Sequence, residues 1–226
     1  MYELRQLPDR LALVHITNAK IKPISVDFCT KECLYRCKSF NLAKEAIAKA
    51  IGWNNNKPAL SVIDATAGFG RDAFILGSLG CKVQLIERSP IIIALLKDGI
   101  ERASNCIDTI EIIKNMQLIE GNAIQVLNEL ARDQYPDVIC LDPMFPKRQK
   151  TALVKKEMLA LRNIVGEDLD CNELLVIALK IAKTRVVVKR PRLAPPITKD
   201  FAPSFVLEGS ANRFDVYLPN TLKNAN

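Results

Sequence analysis

Asp64-Ala-Thr-Ala-Gly68-Phe-Gly70-Arg-Asp-Ala73 follows directly on the apolar run Ala59-Leu-Ser-Val-Ile-Asp64 and carries the spacing G-x-G-x-x-A. A short apolar run ending in an acid reads as a buried strand. The glycines let the backbone turn tightly and approach a ligand where a Cβ would collide. A helix is expected next, from Arg71 or Asp72 to about Leu79.

Further along, the pattern alternates. Strands are expected over Lys82–Glu87, from Ile112 or Met116 to Glu120, over Pro136–Asp142 and over Thr184–Lys189. Helices are expected over Pro90–Arg102, Ala123–Ala131 and Glu173–Ala182. Ser204–Glu208 and Arg213–Leu218 read as a closing hairpin across Gly209–Asn212. Strands alternating with helices imply right-handed βαβ crossovers, so the fold class is α/β with a mainly parallel sheet and an antiparallel addition at one edge. In such sheets ligands bind beyond the carboxyl ends of the strands, where strand order reverses. That directs attention to Asp64, Glu87, Glu120 and Asp142.

Upstream, Leu11–Ile16 and Pro23–Phe28 read as short extended pieces joined by a turn at Thr17–Lys20, and Leu42–Ile51 as a helix stopped by Gly52. Residues 1–57 therefore form an N-terminal extension and residues 58–226 the main domain. The 226 residues are 49% hydrophobic and 25% charged, which suits one packed core and excludes wholesale disorder. Thirty-two Lys and Arg against 25 Asp and Glu give a net charge of +7, compatible with a polyanionic partner.

The single histidine, His15, excludes catalytic designs that need several imidazoles. No apolar run has the length to cross a bilayer, and Met1–Arg10 has no apolar h-region, so neither membrane insertion nor a secretory signal is expected. Seven cysteines without an export signal point to reduced thiols and a cytoplasmic location. Cys29, Cys33 and Cys37 recur every fourth residue, which a helix would stack on one face. This spacing supplies neither a fourth ligand nor a recognised metal pattern, so no metal is expected.

Glu87 closes the strand after the glycine turn, where a carboxylate accepts hydrogen bonds from both hydroxyls of a ribose. Gly68 and Glu87 together specify an adenosine-containing ligand, and NAD and S-adenosylmethionine both fit. The acid at Asp64 favours S-adenosylmethionine, whose cationic head suits a carboxylate better than a pyrophosphate does. Arg71 and Asp72 could gather the amino-acid head of that ligand, or Asp72 could cap its helix. Asn122 could offer an amide to the adenine edge, or cap the helix that follows.

Asp142-Pro-Met-Phe-Pro146, at the tip of the fourth parallel strand, separates the two cofactors. Methyl transfer to an exocyclic amine needs acceptors for the amine hydrogens, which the Asp142 carboxylate and a carbonyl of the Pro143 turn provide. They would aim the nitrogen lone pair at a sulfonium methyl group by positioning and electrostatics. Phe145 offers a face for a flipped base. A nicotinamide-dependent oxidoreductase has no use for this turn, but it remains the alternative enzyme class. A non-catalytic RNA-binding assembly factor is the third reading.

At these residues the sequence resembles the Rossmann-like class I methyltransferases and, within them, the RsmJ type, which methylates the exocyclic N2 of a guanine in bacterial small-subunit ribosomal RNA. Asp64–Phe74, Leu85–Arg88, Asp142–Pro146 with the following KRQKTALVKKEM, Arg185–Pro191, Ala194–Pro196 and Arg213–Tyr217 carry the match, which spans about residues 26–218. The resemblance implies a seven-stranded class I methyltransferase domain. It also implies S-adenosylmethionine contacts at Arg71, Asp72, Glu87, Arg88, Asn122, Ala123 and Asp142. Asn122-Ala123 stands where the family has two small hydroxyl residues, and the N-terminal segment is shorter and divergent.

Lys147, Arg148, Lys150, Lys155 and Lys156 follow the proposed reacting turn, and Lys189, Arg190 and Arg192 follow or end the next strand. Two basic runs converging on one rim would hold phosphates flanking a base pocket. The expected partner is small-subunit ribosomal RNA or the assembled 30S subunit, recognised by shape, since the chain carries no separate RNA-binding module.

Overall fold

The structure, a computed structural model, describes residues 2–37, 45–143, 170–209 and 212–219. Its centre is a seven-stranded sheet. In chain order the strands are β3 (Ser61–Asp64), β4 (Lys82–Glu87), β5 (Met116–Glu120), β6 (Val138–Leu141), β7 (Arg185–Pro191), β8 (Phe205–Glu208) and β9 (Asn212–Tyr217). The spatial order is β5-β4-β3-β6-β7-β9-β8. The first five of these positions pair in parallel, and β9 pairs antiparallel with both β7 and β8. The expected hairpin therefore supplies two strands, and its second strand lies inside its first.

The chain runs outward from β3 through β4 to β5, then returns to place β6 on the other side of β3. The order reverses between β3 and β6, where Asp64 pairs with Cys140 and Asp142 follows two residues on, so both acids lie at the crevice where such sheets bind ligands.

Alternate strand residues face opposite layers, as a pleat requires. Val62, Val83, Leu85, Val138, Cys140 and Val187 join one buried cluster, while Ile63, Ile86, Ile139, Leu141, Val186 and Val188 join the other. The first layer holds α2 (Ala46–Ile51), α3 (Arg71–Ser78) and α4 (Pro90–Ser104), and the second holds α6 (Ala123–Glu129) and α7 (Cys171–Ile181). Helix α2 ends as expected at Gly52, which adopts φ 72° and donates its N–H back to the last turn.

The N-terminal residues form a hairpin of β1 (Tyr2–Gln6) and β2 (Leu11–His15). Polar β1 was not legible as a strand. Among the described residues Pro23–Phe28 makes one bridge, between Ile24 and Leu13. Ile24, Val26 and Phe28 are nevertheless buried, and Phe28 stacks on Phe74 with ring centroids 4.8 Å apart. Arg102 of α4 donates to the Val26 carbonyl, and the Leu11 N–H donates to Asp98 at 3.0 Å. The extension thus shares a core with α3 and α4.

Two further differences are local. Ile110–Ile113 forms the short helix α5, so β5 starts at Met116 rather than Ile112. Only Cys33 lies within helix α1 (Lys31–Arg36), with Cys29 before its Thr30 cap and Cys37 after its last turn. Among the described residues no group of three His, Cys, Asp or Glu side chains is placed to hold a metal, and no helix is long and apolar enough to cross a membrane.

Candidate active site

The glycine turn is held to the sheet by its own backbone. Ala65 N–H donates to the Cys140 carbonyl at 3.0 Å and Ala67 N–H to the Ile86 carbonyl at 3.1 Å, which ties the tips of β3, β6 and β4 together. Gly70 caps α3 at φ 67° and packs so closely that an added Cβ would lie 3.0 Å from Leu96 and 3.2 Å from Leu85. Gly68, at φ 53°, is different: a Cβ there would meet nothing nearer than the Thr66 carbonyl oxygen at 4.0 Å. One glycine serves packing. The other keeps a cleft open.

That cleft lies at the tips of β3, β4 and β5 and is lined by Gly68, Glu87, Arg88, Asn122, Ala123 and Asp142, among others. Glu87 is buried, with its carboxylate accepting Gly68 N–H at 2.9 Å and Ser89 N–H at 2.7 Å. It therefore fixes the glycine turn as well as facing the ligand space. Asn122 caps α6 by accepting Ile124 N–H at 2.9 Å, so its side-chain oxygen serves the helix. Arg88 crosses the mouth to pair with Asp170 at 2.9 Å. Asp170, Cys171 and Leu174 also line this cleft, although no sequence motif marks them. They arrive because α7 docks against α6.

A second, wider cleft lies on the other side of the turn, lined by Asp64, Phe69, Arg71, Asp72, Asp142 and Lys189, among others. Arg71 extends over the Phe69 ring, 5.8 Å from its centroid. Asp64 is buried and, among the described residues, accepts only a long 3.3 Å bond from Thr66 N–H. Burial, followed by the nearby negative charges of Asp72 and Asp142, pushes its carboxyl up to about 7.

Lys189 spans this cleft, with its ammonium 2.7 Å from Asp72 Oδ2 and 2.9 Å from Asp142 Oδ2. Burial opposes its charge, but Asp142 and Asp72 outweigh burial and hold its pKa above the ordinary lysine value. Asp72 is thus engaged by a lysine through its side chain, while Gly70 occupies the cap position of α3. Asp142 N–H donates to Thr66 Oγ1 at 2.6 Å, which anchors the tip of β6 against the glycine turn.

The expected basic rim is arranged differently at its second arm. Strand β7 continues to Pro191, so Lys189 and Arg190 are paired strand residues rather than a splayed loop. The pleat sends them to opposite faces. Lys189 turns inward to the two aspartates, and Arg190, 3% exposed, donates to the Pro195 carbonyl. Burial lowers the Arg190 pKa from its ordinary value. Arg192 alone of the three is exposed, and it pairs with Glu208 at 3.3 Å. Phe145, Lys147, Arg148, Lys150, Lys155 and Lys156 lie outside the described residues.

A model of SAM-dependent methyltransferases matches residues 1–219. The chain is 50% identical over 196 residues to the ribosomal RNA small subunit methyltransferase J of Thioalkalivibrio sulfidiphilus, covering 87% of this chain and 76% of that one. It is likewise 50% identical over 202 residues to the protein of the same name from Dechloromonas aromatica, covering 89% and 81%. Among solved structures, a SAM-dependent methyltransferase from Neisseria gonorrhoeae superposes with a TM-score of 0.74 at 36% identity, covering 93% of this chain and 80% of that one. These matches remove the nicotinamide alternative and make S-adenosylmethionine the cofactor. A crevice built on the reversal between β3 and β6, with an acid at each strand tip, is thus found in a chain that belongs to the ribosomal RNA small subunit methyltransferase J family of SAM-dependent methyltransferases.

Proposed function

We propose that this methyltransferase modifies the exocyclic N2 of a guanine in small-subunit ribosomal RNA. The observation that carries the reading is that Asp142 and Pro143, with Thr66 and Gly68, line both clefts. A donor whose nucleoside lies in the first cleft and whose methionine portion crosses this wall into the second would there meet an acceptor base. The names of the curated relatives supply the RNA class, and the resemblance at Asp142–Pro146 supplies the guanine amine.

The residues present fit the cofactor. The open side of Gly68 leaves room that a Cβ would fill, and buried Glu87 sits at the tip of the neighbouring strand, where ribose hydroxyls would lie. In this reading Gly68, Glu87, Arg88, Asn122 and Ala123 hold the nucleoside portion, and Asp64, Arg71 and Asp72 surround the methionine portion. When bound, S-adenosylmethionine supplies an electrophilic methyl group on a sulfonium.

The chain supplies position. Asp142 accepts one hydrogen of the acceptor amine, and a carbonyl of the turn at Pro143 accepts the other, which directs the nitrogen lone pair toward the methyl group. The fixed φ of Pro143 restricts the turn that carries this carbonyl. Phe145 stacks the flipped base, and the surplus proton passes to water. Lys147, Arg148, Lys150, Lys155 and Lys156, with Arg192, hold flanking phosphates.

The test incubates the protein and S-adenosylmethionine with 30S subunits from a strain lacking the modification, in parallel with the naked RNA. Mass mapping is expected to find one methyl group on the exocyclic nitrogen of one guanine. A methyl on a ring nitrogen or ribose would overturn the assignment, as would no incorporation by a protein that binds the cofactor.

A further inference from the structure

We infer that Lys189 is a positioning residue for methyl transfer, clamping Asp142 to Asp72 so that the Asp142 carboxylate meets the acceptor amine in a single orientation. The inference rests on the role proposed for Asp142 and assigns Lys189 to the reaction rather than to RNA phosphates.

Three elements converge on one ammonium. Asp142 leaves the tip of β6, Lys189 stands on β7, and Asp72 lies in the first turn of α3. The parallel register pairs Leu141 with Val188, so Asp142 and Lys189 are the next residues along adjacent strands. The lysine side chain is 24% exposed and reaches both carboxylates at short distances. A lysine held this way is not extended toward solvent to meet a phosphate.

The asymmetry of the two pairs argues for positioning. Asp72 is 21% exposed, whereas Asp142 is 50% exposed and lines both clefts. The ammonium engages Oδ2 of Asp142, and that contact restricts rotation of the carboxylate. Without Lys189, the Asp72 carboxylate would repel that of Asp142 outward, away from the wall it shares with the glycine turn. The ammonium stays protonated in this setting, so it orients the acid without competing to accept the surplus proton.

The experiment compares full-length wild type, Lys189→Met and Lys189→Arg on 30S subunits lacking the modification. It measures kcat, KM for the subunit at several salt concentrations, cofactor dissociation by calorimetry, and thermal melting. Lys189→Met is expected to fold, to lose kcat by about 30- to 100-fold, and to keep KM and its salt dependence. Cofactor affinity should stay within about threefold or tighten, because removing a cation favours a cationic ligand. Lys189→Arg should recover a substantial part of kcat.

A raised KM with a shallower salt dependence and intact kcat would assign Lys189 to phosphate binding and overturn the proposal. Unimpaired kcat in Lys189→Met, loss of cofactor binding alongside kcat, failure of that variant to fold, or no recovery with Arg would overturn it too. No transfer by the wild type would overturn the proposed reaction and this role together. A wild type that transfers while Lys189→Met is unimpaired rejects the positioning role alone.

Discussion

The strands β3, β6 and β7 carry polar residues at both of their ends, and the two ends use them differently. At the amino ends, Asp137 accepts Ser61 N–H and Ser61 Oγ–H, both at 2.8 Å, and its carbonyl accepts Thr184 N–H at 2.9 Å. Neutral donors match the acceptors, so the charge is spread over several short bonds. At the carboxyl ends, Asp64, Asp72 and Asp142 crowd around the one ammonium of Lys189. A fold can be finished with the first arrangement. The second sets like charges side by side at a cleft, and a buried carboxyl pushed up as that of Asp64 is belongs to the kind that gathers at working sites.

The largest effect that would sharpen this contrast is at Asp142. Asp142→Ala is expected to lower methyl transfer by about 1,000-fold while leaving the thermal melt close to wild type, measured by methyl incorporation and circular dichroism. A collapse of the fold would erase the difference between the two ends.

The next effect concerns pH. The Asp64 carboxyl is pushed up to about 7 in the folded protein, so its contribution to stability is complete below the ordinary aspartate range and is lost as pH rises through about 7. Between about pH 5 and about pH 8 the wild type should lose roughly 2–3 kcal/mol from this group. Asp64→Asn should lack that component, read as a flatter dependence of the urea midpoint on pH.

Asp137→Ala probes the opposite end. It leaves the Ser61 donors without their acceptor and should cost about 2 kcal/mol of stability, with cofactor affinity unchanged by calorimetry. A change in affinity would mean that the two ends are coupled. The smallest effect is expected for Glu87→Gln, in which one of the Gly68 and Ser89 N–H groups loses its acceptor. Cofactor binding should weaken about tenfold, again by calorimetry.

Much of this contrast was readable along the chain, but unevenly. Short apolar runs ending in an acid at Ser61–Asp64 and Lys82–Glu87 announced strands whose two faces are both buried, and Asp64, Glu87 and Asp142 were identifiable as strand-tip acids. The start of β5 was left open between Ile112 and Met116, because the four residues Ile110–Ile113 are too few to show a period that separates helix from strand. Lys189 and Arg190 looked like a rim cluster because their cationic character is local, while the pairing of β7 with β9 through Pro191 is not. Asp170 gave no signal at all: its partner Arg88 is 82 residues away.

The order of strands and helices, the glycine turn and the acids at the strand tips followed from the sequence by itself, because periodicity and backbone freedom act over a few neighbouring residues. Which acid meets which cation was decided only by the tertiary structure. Asp72 and Lys189 are 117 residues apart, and Coulomb attraction becomes selective only once sheet register and helix docking bring the charges within 2.7 Å. A basic residue read as a surface contact thereby became the centre of the acidic crevice.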